Sequence, residues 1–462
     1  MKAASVGTPE ATAWGSGLRS AFVRLTLPSV IFTALLCGGC YDKVELNQLA
    51  VADLMAIDIT EDGKLLVSLQ FVIPGELGSP GGGGASTATR DAFYVIDAKG
   101  ATLPEAFSLL QAKLPRRLFT THVRVVVLGE EVARAGIGPL FDSLTRMREL
   151  RLTMDVVLVK GRAVELLRAA PRFERLPATA IAHLLNERIV PNRTVRQVAM
   201  SLVAEGVDLF LPLVGIAERV EPVHGATAGA ASAPATSPGE FEIMGIGIFQ
   251  EDRLVGFAPV EAARGLAWII NQTATSTATV EWPPPGEPVK PVPAPRSGHA
   301  GASDNPNEPP GTGPASPGGG LNRPNQISTI LLRETTRIRA DVEDGEIVIR
   351  IRARAVDDLL TNQAGLDLND PAVIPKLEAE IAKAAEERMR SILRLAQDEL
   401  QSDIFGFGAL VRRSHPKLWR EFRTNWREIF SKLRVEIEVV VQIRRVGLTN
   451  RPASMREDQL QR

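Results

Sequence analysis

In this 462-residue chain a redox, metal or nucleophilic site would have to be assembled from few residues, because there are only two cysteines and five histidines. Cys37 and Cys40 stand three apart in "ALLCGGCYDKVELNQLA", a spacing that also suits a dithiol or a zinc ligand pair. A redox pair opens a helix after a strand, whereas this one closes an apolar run. The histidines, His122, His183, His224, His299 and His415, are scattered singly and form no H-E-x-x-H spacing. A zinc site built by the protein is therefore not expected. No G-x-S-x-G elbow or phosphate-binding G-x-x-x-x-G-K-[ST] loop is present. "GIGIF" at 245–249 runs into Gln250, Glu251 and Asp252 rather than opening a helix, so a dinucleotide reading fails its context. Adjacent carboxylates such as Glu386 and Glu387 fall on the polar face of a helix pattern, where carboxylates are ordinarily solvated. No catalytic constellation emerges, and neither a cofactor nor an enzymatic activity is expected.

The cysteines make better sense as processing signals. Residues 25–39, "LTLPSVIFTALLCGG", form an apolar run preceded by Arg19 and Arg24 and followed at once by polar sequence. The run is shorter than the roughly 20 residues a membrane-spanning helix needs, and it contains Pro28. It fits the hydrophobic segment of a signal peptide. Gly38 and Gly39 are small enough for a signal peptidase, and Cys40 then takes the place of a lipidated cysteine. An ordinary cleaved secretory signal and a redox or zinc pair are the competing readings. Lipidation of Cys40 is preferred, although Cys37 occupies a position where bacterial lipoproteins usually carry Leu. Residues 1–39 are then removed.

The elements that follow set out the rest of the chain. With 44% apolar and 23% charged residues and a net charge of −1, the composition is that of a soluble globular protein without bias toward nucleic acid or membrane headgroups. Alternation at Leu65, Val67, Leu69 and Phe71 predicts a hairpin strand after the Glu61-Asp62-Gly63 turn. Thr102 and Glu105 predict a capped helix ending near Pro115. "VRVVVLG" at 123–129 and "LTMDVVLVKG" at 152–161 read as strands, with helices between. Residues 41–218 are thus expected to form an N-terminal domain, 219–240 a linker or long loop, and 241–281 a strand-turn-strand-helix segment. Residues 282–326 are Pro/Gly-rich and predicted to lack a core. A C-terminal domain spans 327–450, with a hairpin at Glu343-Asp344-Gly345 and a helix from about Pro375 to Gln401. A tail covers 451–462. The predicted fold class is α+β and multi-domain, with mixed sheets, packed helices, and a long C-terminal helix lying against an antiparallel sheet.

One further cluster could act as a site. In "SDIFGFGALVRRSHPKLWREFRTNW", Asp403, Phe405, Gly406, Phe407, Gly408, Pro416, Trp419 and Trp426 combine a glycine-broken turn with four aromatic side chains. They form either an interface for another protein or a structural corner whose aromatics fill the C-terminal core. The corner is the preferred reading, because aromatics clustered between a helix and a strand usually face inward.

Several of these blocks resemble the Ger(x)C lipoproteins, the C subunits of bacterial spore germinant receptors. The resemblance rests on "GCYDKVELNQLA", with Tyr41 where the family carries Trp, and on "THVRVVVLGEEVARAGIGPL" and "TRMRELR". It rests further on "FQEDRLVGFAPVEAARGLAWIIN" and on "QSDIFGFGALVRRSHPKLWREFRTNWREIFSKLRVEIEVVVQIRRVGL". It implies a lipoprotein anchored through Cys40 on the outer face of the inner spore membrane. It also implies partnership with A and B subunits, a role in nutrient-triggered germination, an α+β fold and no enzymatic activity. A lipid-anchored solute-binding protein that captures the germinant directly is the alternative.

Overall fold

The structure is a computed structural model that describes residues 45–73, 93–169, 171, 173–217, 240–273, 276–282 and 325–445. The chain divides into two compact units, Met1–Ala50 and Val51–Arg462, and the cores discussed below belong to the second. Cys37 and Cys40 lie outside the described residues.

The first sheet is built from β1 (Leu49–Ile59), β2 (Leu65–Val72), β3 (Phe93–Gly100), β4 (Arg117–Phe119), β5 (Val125–Leu128), β6 (Asp155–Leu158), β7 (Phe210–Ile216), β8 (Phe241–Gln250) and β9 (Arg253–Pro259). Its main order is β3-β2-β1-β5-β6-β7-β8-β9. The central strands β5 and β6 pair in parallel, and every residue of β5 is buried. That explains why "VVVL" is continuously apolar rather than alternating: a parallel strand covered on both faces has no solvent side. Toward both ends of the sheet the pairing turns antiparallel, at β1–β2 and β2–β3 on one flank and at β7–β8 and β8–β9 on the other.

Six helices belong to this part: α1 (Leu103–Lys113), α2 (Glu130–Ala135), α3 (Gly138–Arg146), α4 (Ala163–Arg168), α5 (Pro177–Asn186) and α6 (Val195–Val203). At α1 the Thr102 side chain accepts the Glu105 N–H, as expected, but the Glu105 carboxylate reaches the Ala101 N–H rather than that of Thr102. The full reciprocal capping box appears instead at α6, between Thr194 and Gln197. Helices α4 and α5 cover one sheet face, where Leu166, Leu167, Ile181 and Leu185 join Leu54, Val125, Val127 and Val157 in a core.

The second sheet has the order β10 (Thr277–Glu281), β11 (Gln326–Glu343), β12 (Glu346–Asn362), β13 (Arg434–Arg445). β11 and β12 form the expected antiparallel hairpin; β10, which the sequence reading did not place, adds antiparallel to β11, whereas β13 joins parallel to β12. A parallel neighbour needs a long crossover. Here the chain provides it through α8 (Val373–Arg394) and three short helices, α9 (Phe407–Ser414), α10 (Pro416–Phe422) and α11 (Trp426–Ser431). α8 buries Leu377, Ile381, Ala385, Met389 and Ile392, a stripe at helical spacing, and ends in a π-helical turn at Leu395–Glu399. It crosses α7 (Val260–Ile269) at close range, because Gly265 has no side chain: a Cβ there would lie 2.2 Å from the Arg388 carbonyl oxygen.

The segment 241–281 is shared out between the sheets. β8 and β9 extend the first sheet, α7 packs beneath the second, and β10 forms the second sheet's outer strand. One apolar core accordingly runs from Phe210, Ile246 and Ile248 through Leu266 and Trp268 to Ile349, Ile351, Met389 and Phe430.

Candidate functional site

The glycine-broken turn after α8 is organised by one carboxylate. Asp403 is 2% exposed, and its Oδ1 accepts the N–H groups of Gly406 and Phe407 at 2.9 and 3.0 Å. Its Oδ2 accepts the Gly408 N–H at 2.7 Å and the Trp426 indole Nε1–H at 3.0 Å. The chain can present three successive amides to one anion because Gly406 sits at φ 76°, in the left-handed region. These amides belong to the first turn of α9, whose dipole also favours the negative charge. Burial nevertheless dominates and pushes the Asp403 pKa up to about 6; the amides of Gly408 and Phe407 and the Trp426 indole pull it down, and neighbouring Asp208 raises it.

The aromatics of the same block close over this carboxylate. Phe405 and Phe407 stack with ring centroids 5.0 Å apart, and each lies 6.3 Å from Phe430. Trp419 and Trp426 meet edge to face at 5.4 Å. Phe405, Phe407, Trp419 and Trp426 are 8%, 1%, 4% and 8% exposed. Side chains this buried support the structural corner over a direct interface, since only the rims of the tryptophans reach the surface. Pro416 stands apart from the cluster as the exposed first residue of α10, where its lack of an N–H costs nothing.

The turn also holds the sheets together, through residues the sequence did not single out. Asp208, just before β7, accepts the Asp403 N–H at 2.8 Å and donates its own N–H to the Asp403 carbonyl at 2.8 Å. Its second carboxylate oxygen accepts the Glu251 N–H at 3.2 Å. Gly206 and Gly408 touch backbone to backbone: a Cβ on Gly408 would lie 2.7 Å from Gly206 Cα and 2.7 Å from Trp426 Nε1. The Ser402 hydroxyl donates to the Phe249 carbonyl at 2.7 Å, and Gln250 Nε2 to the Leu400 carbonyl at 2.6 Å. The "FQEDR" turn between β8 and β9 is thus a junction, and Asp252 extends it by accepting the Gly138 N–H at 3.1 Å. The available signal was "EGVD" at 205–208, a glycine two residues before an aspartate at the entry to an apolar strand.

Outside this joint lies a cleft of about 450 Å³ lined by Glu205, Asp208, Glu251, Arg423 and Arg427 with the rims of both tryptophans. Its polar groups are engaged with one another. Trp419 Nε1 donates to Glu205 at 3.2 Å, Arg412 and Arg423 approach Glu205 at 3.9 and 4.0 Å, and Arg427 approaches Glu251 at 3.7 Å. Among the described residues no cluster of three His, Cys, Asp or Glu side chains could hold a metal ion, and no helix is long and apolar enough to cross a membrane.

Comparison with known proteins settles the family. The spore germination protein N-terminal domain matches residues 42–216, and the spore germination B3/GerAC-like C-terminal domain matches 244–447. The chain belongs to the GerAC-like family of spore germination proteins. YfkR of Bacillus subtilis (strain 168) is 25% identical over 438 residues, covering 93% of this chain and 98% of that one. Spore germination proteins KC and B3 of the same organism are each 21% identical, covering 92% and 91% of this chain and 96% and 97% of their own lengths. A solved structure of the GerBC protein aligns with a TM-score of 0.47 at 17% identity, over 84% of this chain and 96% of that one. Membership of the family gives the protein a role in spore germination. The Asp403 block lies inside the second matched region and Asp208 inside the first, so the joint ties the family's two halves together.

Proposed function

We propose that the chain is a lipid-anchored, non-catalytic subunit of a spore germinant receptor. In this reading residues 1–39 are a signal peptide, Cys40 carries a diacylglyceryl group, and the mature protein lies on the outer face of the inner spore membrane with membrane A and B subunits. The observation that carries the reading is a coincidence of position. The family match begins at residue 42, two residues after a cysteine that ends an apolar run and follows two glycines. One acyl chain holds a protein to a bilayer only marginally, whereas two hold it stably. Confinement to the membrane raises the effective concentration of the domain toward membrane partners. Cys40→Ala is expected to release the protein from spore membranes and to abolish the germination response. Normal germination by that variant would sink the tether as essential. Recovery of the tagged protein from dormant-spore inner membrane should bring the A and B subunits with it.

The cleft beside Trp419 gives weaker support to direct capture of a germinant, since its carboxylates and guanidinium groups already face each other. Titration of the protein with amino acids and sugars separates the readings: saturable binding favours capture, and its absence favours assembly alone.

A further inference from the structure

The outer face of the second sheet carries a set of charges that the fold does not balance. A groove of about 510 Å³ runs between β11 and β12, lined by Arg333, Arg337, Arg339, Arg350, Arg352 and Arg354, with Asp341 as its acidic member. The arginines come from alternate positions of two antiparallel strands, so they share one face. The register sets Arg337 directly opposite Arg352 and Arg339 directly opposite Arg350. Like charges in facing positions destabilise a sheet. Two of the six are compensated: Arg350 binds Asp341, Glu343 and Glu436, and Arg352 binds Glu438 at 2.8 Å. Arg333, Arg337, Arg339 and Arg354 are exposed and form no ion pair with an acidic side chain among the described residues. Apolar side chains lie among them. Leu332 is 41% exposed, and Val440, which faces Arg354 from β13, is 49% exposed.

We propose that this arginine face docks on the anionic phosphate headgroups of a phospholipid bilayer. The proposal rests on the reading of the chain as membrane-tethered, and it adds which face meets the membrane. Guanidinium groups bind phosphate in a planar, bidentate geometry. An extended, open face of cations with interspersed aliphatic side chains complements a headgroup layer over acyl chains. No aromatic residue lines the groove, so the face lacks the stacking platform of a single-stranded nucleic-acid site. Each arginine near an anionic surface contributes roughly fivefold in affinity.

The test uses the full chain with Cys40→Ala, which cannot be lipidated, in flotation with vesicles of phosphatidylcholine alone or mixed with phosphatidylglycerol. The leader, with Lys2, Arg19 and Arg24 against Glu10, adds its own preference for anionic vesicles, so the change in the affinity ratio between the parent chain and its arginine variants isolates this face. A preference for the anionic vesicles that weakens with salt is expected. Joint substitution of Arg333, Arg337, Arg339 and Arg354 by Gln should reduce that preference by roughly tenfold or more. Arg337→Gln with Arg354→Gln should give an intermediate loss, readable even if the fourfold variant folds poorly. Equal affinity for both vesicles overturns the proposal. So does an equal loss when Arg148, Arg151, Arg196 and Arg413, exposed elsewhere, are exchanged instead. Tight binding of an acidic peptide without any anionic-vesicle preference would also overturn it, in favour of a protein partner. Failure here leaves the tether standing, whereas spore-membrane retention of Cys40→Ala that persists when the four arginines are also exchanged removes the tether alone.

Discussion

Asp403 is a single residue on which four donors converge, and truncating it strands all four inside the protein. Asp403→Ala should lower stability by about 3 kcal/mol or more in denaturant unfolding, since each buried unsatisfied donor costs about 1–3 kcal/mol. Asp403→Asn, which keeps one acceptor oxygen, should cost less. A second buried acid behaves differently. Asp53 on β1 is 6% exposed, and neither carboxylate oxygen reaches a hydrogen-bond partner among the described residues. Burial pushes its pKa up to about 7, against a smaller opposing pull from the amides of Asp53 and Leu54 and from Arg124. Both acids therefore bind protons more tightly in the folded chain than at their ordinary value of 3.8. Between that value and their folded pKa values the native state holds the extra protons, so stability falls as pH rises from about 4 to about 7. Unfolding midpoints measured across that range should decline, and Asp53→Asn should flatten the upper part. At pH 8 the same substitution should stabilise the protein by about 2 kcal/mol; a loss of stability there would show that Asp53 has a partner in solution.

Among the elements, the turn into α9 separates two reasons for glycine. At Gly406 the requirement is conformational: φ is 76° and the nearest atom to an added Cβ is Val207 Cγ2 at 3.6 Å. Gly406→Ala should cost about 1–2 kcal/mol, the strain of a left-handed residue. At Gly408 the requirement is space, because the obstructing Gly206 is backbone and cannot rotate away. Gly408→Ala should cost more than Gly406→Ala in the same thermal melts, and the reverse order would refute the close approach. Both glycines were legible in the sequence as a break, and so was the amphipathic stripe of α8, because both are local patterns. What could not be read is what they meet. Asp208 and Gly206 lie nearly two hundred positions upstream, and no periodicity links them to Asp403 or Gly408. Helices α4 and α5 escaped for a related reason. They are short, and their apolar residues Leu166, Leu167, Ile181 and Leu185 acquire a direction only from the sheet beneath them. The fourth strand of the second sheet carries the alternating pattern "VEIEVVVQI", but alternation does not distinguish a parallel from an antiparallel neighbour.

At the scale of the whole molecule, the boundary between the family's two matched regions is not a boundary in space. It falls between β7 and β8, which pair antiparallel from Phe210–Ile248 to Ile216–Phe241. Chains cut between residues 217 and 240 should therefore co-purify when expressed together, whereas the N-terminal piece alone should be insoluble; an independently stable N-terminal piece would contradict the shared sheet. The Pro/Gly-rich stretch before β11 is expected to be dispensable, because its ends already meet: the Trp282 N–H donates to the Asn325 carbonyl at 2.7 Å. Replacing residues 284–323 by a short Gly-Ser turn should leave the melting temperature unchanged or raise it slightly, as each halving of a loop is worth roughly 0.6 kcal/mol.

The sharing of the first sheet also orders events in time. As the chain is made from its N-terminus, β7 is complete before its neighbour β8 exists. Five of its seven residues, Phe210 to Val214, are fully buried in the finished fold. Until residue 250 has emerged, that apolar strand presents an open edge, the feature most prone to pair with another nascent chain. The joint at Asp403 comes later still. A cell making this protein must keep that edge from its neighbours until more than half of the chain has been synthesised.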